Sequence, residues 1–198
     1  KGGHSSQPEL CKDPILAASA LTQNLQQIVS RKLSPHTSAV VSVTSIEAPS
    51  GETIIPDSAH LNGSIRLSHS EIRNQVNTMI KDIALSTAKT YGVEVDVVLN
   101  TRYPATINHA TEAEIYRDVL QKHLGENWQD RNVQAPIMAS EDFSYYLEEI
   151  PGAFALIGSN DGLFEHGVSC HNTSYDFNDK LIEKVSKIFC QLAGVKTF

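Results

Sequence analysis

Hydrophobic and polar positions divide the chain into two blocks of periodic segments. Asp13-Pro14 reads as a helix start, an N-cap followed by proline at the first helical position. Ile15, Ala18, Leu21, Leu25, Ile28 and Val29 then recur at helical spacing until Ser34-Pro35. Ala39 to Ile46, rich in Val, Ser and Thr, reads as a strand, and Pro49-Ser50-Gly51 as a turn. From Ala59 to Leu67 the chain alternates. Ala59, Leu61, Gly63, Ile65 and Leu67 share one face, and His60, Asn62, Ser64 and Arg66 share the other. Ser68 to Glu71 has the form of a capping box ahead of a helix striped with Ile72, Val76, Met79, Ile80 and Ile83, which stops at Gly92. Val93, Val95, Val97 and Leu99 alternate with Glu94 and Asp96 and predict another strand. The order α-β-β-α-β becomes the split β-α-β-β-α-β motif if one strand is placed before Gly2. A strand upstream is therefore expected, with its sheet incomplete in these residues.

Tyr103-Pro104-Ala105 breaks the pattern and predicts a domain boundary. Thr111 to Glu114 forms a second capping-box pattern before a helix carrying Ile115, Val119 and Leu120, which stops at Gly125. Ala135 to Met138 reads as extended, Glu141 to Glu149 as a short helix ended by Pro151-Gly152, and Ala153 to Ile157 as a buried strand. Asn178 is expected to cap a last helix, with Leu181, Ile182, Val185, Ile188, Phe189 and Leu192 inside and Gly194 as its stop. This second block has the size and pattern of half an α/β domain.

Composition narrows the class. Of 198 residues, 40% are hydrophobic and 20% charged, which is globular and excludes long disorder. A net charge of −7 argues against nucleic acid or an anionic membrane as the main partner. No apolar run approaches the ~20 residues that cross a bilayer. Cys11, Cys170 and Cys190 make neither a CxxC zinc pattern nor an even disulfide set, so a reducing cytoplasm is expected. The opening Lys1-Gly2-Gly3-His4, without Met or a signal peptide, is expected to belong to a fragment or processed form.

Some residues carry chemistry. His4 sits in a loop rich in Gly and Ser that can bring backbone close to a ligand, and it reads either as a site residue or as a solvated loop histidine. Glu141 and Asp142 place two carboxylates at a helix start, where they serve a site or simply complement the helix dipole. Glu148-Glu149 reads as a solvated helix end. Cys170 and His171 are possible metal ligands, and His166 is a second ligand or a plain loop residue. Spacing alone gives no complete metal site, Ser-His-Asp triad, P-loop or GxGxxG.

Taken in order, several segments resemble the amidohydrolase branch of the dinuclear-metal peptidases, the family of hippurate hydrolase, N-acyl-L-amino-acid amidohydrolases and plant auxin-conjugate hydrolases. They are Gly2-Gly3-His4-Ser5-Ser6-Gln7-Pro8, Asp13-Pro14-Ile15, Leu25 to Arg31, Ile55-Pro56-Asp57 and Gly63-Ser64-Ile65-Arg66. Further on come Ser140 to Tyr145, Pro151 to Phe154, His171-Asn172 and Tyr175 to Asp179. The resemblance implies an α/β fold class: a ferredoxin-like α+β lid, a dimerisation domain lacking its first strand, at residues 1–105, and the C-terminal part of an α/β zinc-exopeptidase-like catalytic domain at 106–198. It implies a metal-dependent hydrolase of the amide bond in small N-acyl amino acids or peptide-like substrates, working as a homodimer with two divalent ions, zinc, manganese or similar. His171 resembles the family's last metal ligand. His4 resembles the lid histidine that hydrogen-bonds the oxyanion. Arg66 resembles the lid arginine that receives the substrate carboxylate, and Glu141 a pocket carboxylate. The family's Cys-Gly-His-Asp motif, its Glu-Glu pair with the general base and a further histidine ligand lie upstream of the lid and outside these residues. The 198 residues alone are therefore expected to bind no complete metal pair and to be inactive. Thr53 stands where the family usually has Asn, which puts substrate preference in doubt, and Thr173 stands where it often has Pro. The alternative is a non-catalytic binding or dimerisation module.

Overall fold

Two units make up the computed structural model, which describes residues 1–126 and 128–196: Lys1–Ala105 with Pro136–Glu141, and Thr106–Ala135 with Asp142–Phe198. The elements in order are β1 (Gly3–His4), α1 (Pro14–Leu25), β2 (Ala39–Glu47), β3 (Ile54–Ile55), β4 (His60–Leu67), α2 (Arg73–Tyr91), α3 (Ala110–Leu124), α4 (Phe143–Glu149), α5 (Phe164–Gly167) and α6 (Lys180–Leu192).

In the first unit, α1 starts where its sequence predicts. Asp13 Oδ1 accepts from the amides of Ile15 at 2.8 Å and Leu16 at 3.3 Å, satisfying donors that the first helical turn leaves free. At the other end of the unit's second helix, Gly92 takes φ 66°, which a residue with a Cβ adopts only under strain, and α2 stops there. β2 and β4 pair antiparallel, with Val41 opposite Ile65 and Ala39 opposite Leu67. A register shift between Val43 and Ser45 bulges the ribbon. One face of this ribbon packs on both helices: Val41, Val43, Ile65 and Leu67 lie against a buried cluster of Leu25, Ile28, Val76 and Ile83. The period-2 and helical stripes read from the sequence thus meet in one core.

Local chemistry was overruled in several places. Ser68 does not close a capping box; its hydroxyl donates to the Ser38 carbonyl at 3.1 Å, thirty residues away. Thr111 lies inside the first turn of α3, and His109 precedes that helix instead. The segment 93–99 is not a strand. Among the described residues the only ladders are β1 with β3 and β2 with β4, so the three-stranded lid sheet that the alternation predicts is not formed. A strand exists only through a neighbour about 4.8 Å away. Segment 93–99 and β4 instead flank a groove of about 270 Å³, floored by Leu21, Leu25 and Ile80.

In the second unit, α3 packs on α6. Tyr116, Val119, Leu120 and Ile188 are buried, with Ala153, Ala155 and Ile157 against them. Burial raises the Tyr116 phenol above its usual range. Segment 153–157 forms no strand either, and Leu156 is 65% exposed. Asn108 takes the place of a strand partner: its amide donates to the Phe154 carbonyl at 2.8 Å and its oxygen accepts from the Phe154 amide at 2.8 Å. On α6, Ile182 and Phe189 are exposed, although its spacing predicts them inside. No helix among the described residues is long and apolar enough to cross a membrane.

Candidate functional site

His4 ends β1, and the close approach of β3 shapes its setting. A Cβ on Gly2 would collide with the Ile55 carbonyl, so only glycine allows this pairing. The Gly2 amide donates to Asp57 Oδ1 at 2.8 Å and the Ser5 amide to the Thr53 carbonyl at 2.8 Å. Thr53, one of the two positions where the sequence reading has this chain depart from the pattern it resembles, therefore adjoins the His4 turn. The His4 ring is exposed, and its Nδ1 lies 3.2 Å from the Ser6 amide and 2.7 Å from Ser6 Oγ.

Arg66 sits on β4 opposite Val40 and is half-buried. Among the described residues its guanidinium makes no ion pair, which leaves its fork of donors available. It is a less solvated side chain than its polar strand face predicts. Glu141 is half-buried and groups with the first unit, as His4 and Arg66 do. The helix behind it starts only at Phe143. Glu148 and Glu149 are exposed at the end of α4, as a solvated helix end should be.

His171 belongs to the second unit, on the loop between α5 and α6. Its side chain is exposed, beside an exposed and free Cys170. The loop around it is held by turns: the Asn172 amide donates to the Ser169 carbonyl at 2.8 Å, and the Ser174 amide to Asn172 Oδ1 at 2.8 Å. His166, open as a second ligand from sequence, spends its Nδ1 on Asp161 Oδ1 at 2.7 Å, while Lys180 Nζ takes the other Asp161 oxygen at 2.8 Å. These two partners, Lys180 foremost, hold the Asp161 carboxyl well below the usual carboxylate range. This clasp and the Ser6 contact to His4 were not read from the sequence. The turn Asn160-Asp161-Gly162, with Gly162 at φ 99°, was the visible sign of the first. Among the described residues no three His, Cys, Asp or Glu side chains come together as a metal site.

A family model described as peptidase family M20/M25/M40 matches residues 7–194. The chain is 36% identical over 193 residues to the hippurate hydrolase of Campylobacter jejuni, covering 98% of this chain and 49% of that protein. It is 32% identical to IAA-amino acid hydrolase ILR1-like 2 of Arabidopsis thaliana, covering 98% of this chain and 44% of the relative. The crystal structure of Bacillus subtilis YXEP protein, described as a dinuclear metal binding peptidase from the M20 family, superposes with a TM-score of 0.66. It is 27% identical, over 91% of this chain and 45% of that one. The chain thus spans about half the length of the curated relatives it matches.

Proposed function

The chain belongs to peptidase family M20/M25/M40, and on that premise we propose that the whole protein hydrolyses the amide bond of small N-acyl amino acids or conjugates. The observation that carries this is the match to hippurate hydrolase, which covers 98% of the chain and so runs through both of its blocks. The first unit is assigned the role of lid and the second that of part of a catalytic domain. The outer edge of β2, unpaired among the described residues, supports a lid that also joins two copies, because a free edge favours pairing with another chain.

The two divalent ions that the family implies do not fit the donors of this chain alone, since no described cluster could hold one. His171, exposed and on a turn-braced loop, is proposed as one ligand of a set completed elsewhere in the whole protein. Arg66 is proposed to grip the free carboxylate of the amino acid in a bidentate fork. His4 is proposed to donate to the oxygen that gains charge as the amide carbonyl is attacked. Glu141 is proposed to line the substrate pocket.

A panel of N-acyl amino acids tests the reading. Release of the free amino acid by the whole protein, abolished by a chelator and restored by divalent metal, is the expected result. No release from any member of the panel contradicts it. The 198-residue chain by itself is expected to release none.

A further inference from the structure

We propose that Ser6 is a positioning residue that locks His4 in one tautomer, with the ring proton on Nε2; the proposal rests on the reading of His4 given above. A backbone amide can only donate. The Ser6 amide lies 3.2 Å from His4 Nδ1, so that nitrogen must present its lone pair. The Ser6 hydroxyl, 2.7 Å from the same nitrogen, is then a second donor to it. In a neutral imidazole with Nδ1 accepting, the proton is on Nε2.

The backbone makes this arrangement a built one. The Gln7 amide donates to the His4 carbonyl at 3.0 Å and closes a turn over residues 4–7. The Ser5 amide is tied to Thr53 at 2.8 Å. The turn folds Ser6 back over the ring of its own first residue, while β3 holds His4 in register opposite Ile54. No described residue takes Nε2, so the ring offers one oriented N–H to whatever approaches it. A donor is what a developing oxyanion requires; the other tautomer would present a lone pair to a negative charge. Every residue type except proline brings the amide that selects the tautomer; the hydroxyl, able to donate or accept, adds a second contact that orients the ring.

The test uses the whole protein labelled with ¹⁵N-histidine, with His4 assigned by its loss in His4→Gln. Long-range ¹H–¹⁵N correlations report which ring nitrogen carries the proton. In the neutral ring the Nε2–H form alone is expected in the wild type and in Ser6→Ala and Ser6→Thr, which keep the amide donor, and a mixture of tautomers in Ser6→Pro, which lacks it. With an N-acyl amino acid, Ser6→Ala is expected to lower kcat about fivefold with KM unchanged, the loss of one ordinary hydrogen bond, and Ser6→Thr to restore it. An unchanged tautomer in Ser6→Pro overturns the proposal and leaves the role of His4 standing. A changed tautomer with unchanged kcat supports the lock and overturns the reading of His4 as the oxyanion donor.

Discussion

Asp161 joins three stretches of chain through two oxygens, one on His166 of α5 and one on Lys180 of α6. Its carboxyl titrates below its unfolded range, so folding favours the ionised form. Stability from this source is present above the unfolded aspartate value of about 4 and is lost as pH falls through the lower folded value. Asp161→Asn is therefore expected to lower Tm at pH 7 and to narrow that deficit steadily below about pH 4. The effect is small, because the Lys180 side chain is 76% exposed and solvent screens it. Thermal melts of both proteins across that range decide it; an equal deficit at pH 7 and pH 2 would contradict the account. Single residues were legible where their partner is close in sequence. Asp13 caps helical amides two and three residues away, and the sequence shows that directly. The partner of Asp161 on α6 is nineteen residues on, and no local signal announces it. The contact of Ser6 with His4 is local, yet it depends on a ring rotamer that spacing does not encode.

Elements were legible where hydrophobic period and punctuation agree. β2, β4, α2 and α6 lie where the pattern puts them, and α1 starts where it should but ends at Leu25, a wider helical stretch over Ile28–Lys32 filling the rest of the predicted span. Segments 93–99 and 153–157 carry strand composition but no ladder, because alternation records a preference for burial on one face and cannot supply a neighbour. The same limit applies to Ile182 and Phe189, apolar side chains of α6 left exposed among the described residues. The neighbour that the alternation of 93–99 predicts would lie in the groove beside β4. The groove beside β4 continues into a cavity of about 390 Å³ bordered by Lys1, Ala59 and Val93. β4 and 93–99 both run away from that end, so a strand leading into Lys1 would lie antiparallel to both. In the whole protein, amides of 93–99 and of the free edge of β4 are expected to exchange at least tenfold more slowly than in the 198-residue chain, as laddered amides do. Hydrogen exchange followed by mass spectrometry reads this directly, and equal rates in the two proteins would sink the idea.

For the molecule as a whole, the family follows from motifs spread along nearly the full chain, whereas the site does not close within it. His4, Arg66 and Glu141 belong to one unit and His171 to the other, and no described residues assemble a metal centre. Motif order could show membership because each segment keeps its place along the chain. Residues of the first unit are proposed to act on the substrate of an amide hydrolysis. Steady-state kinetics of the whole protein on an N-acyl amino acid tests it most directly, comparing wild type with Arg66→Ala and His4→Ala. Arg66→Ala is expected mainly to raise KM, through loss of a grip made equally in ground and transition states. His4→Ala is expected mainly to lower kcat, by about 10²–10³-fold, because its partner gains charge only in the transition state. If both variants keep kcat and KM near wild type, the two side chains are solvated groups and the account of this unit is contradicted.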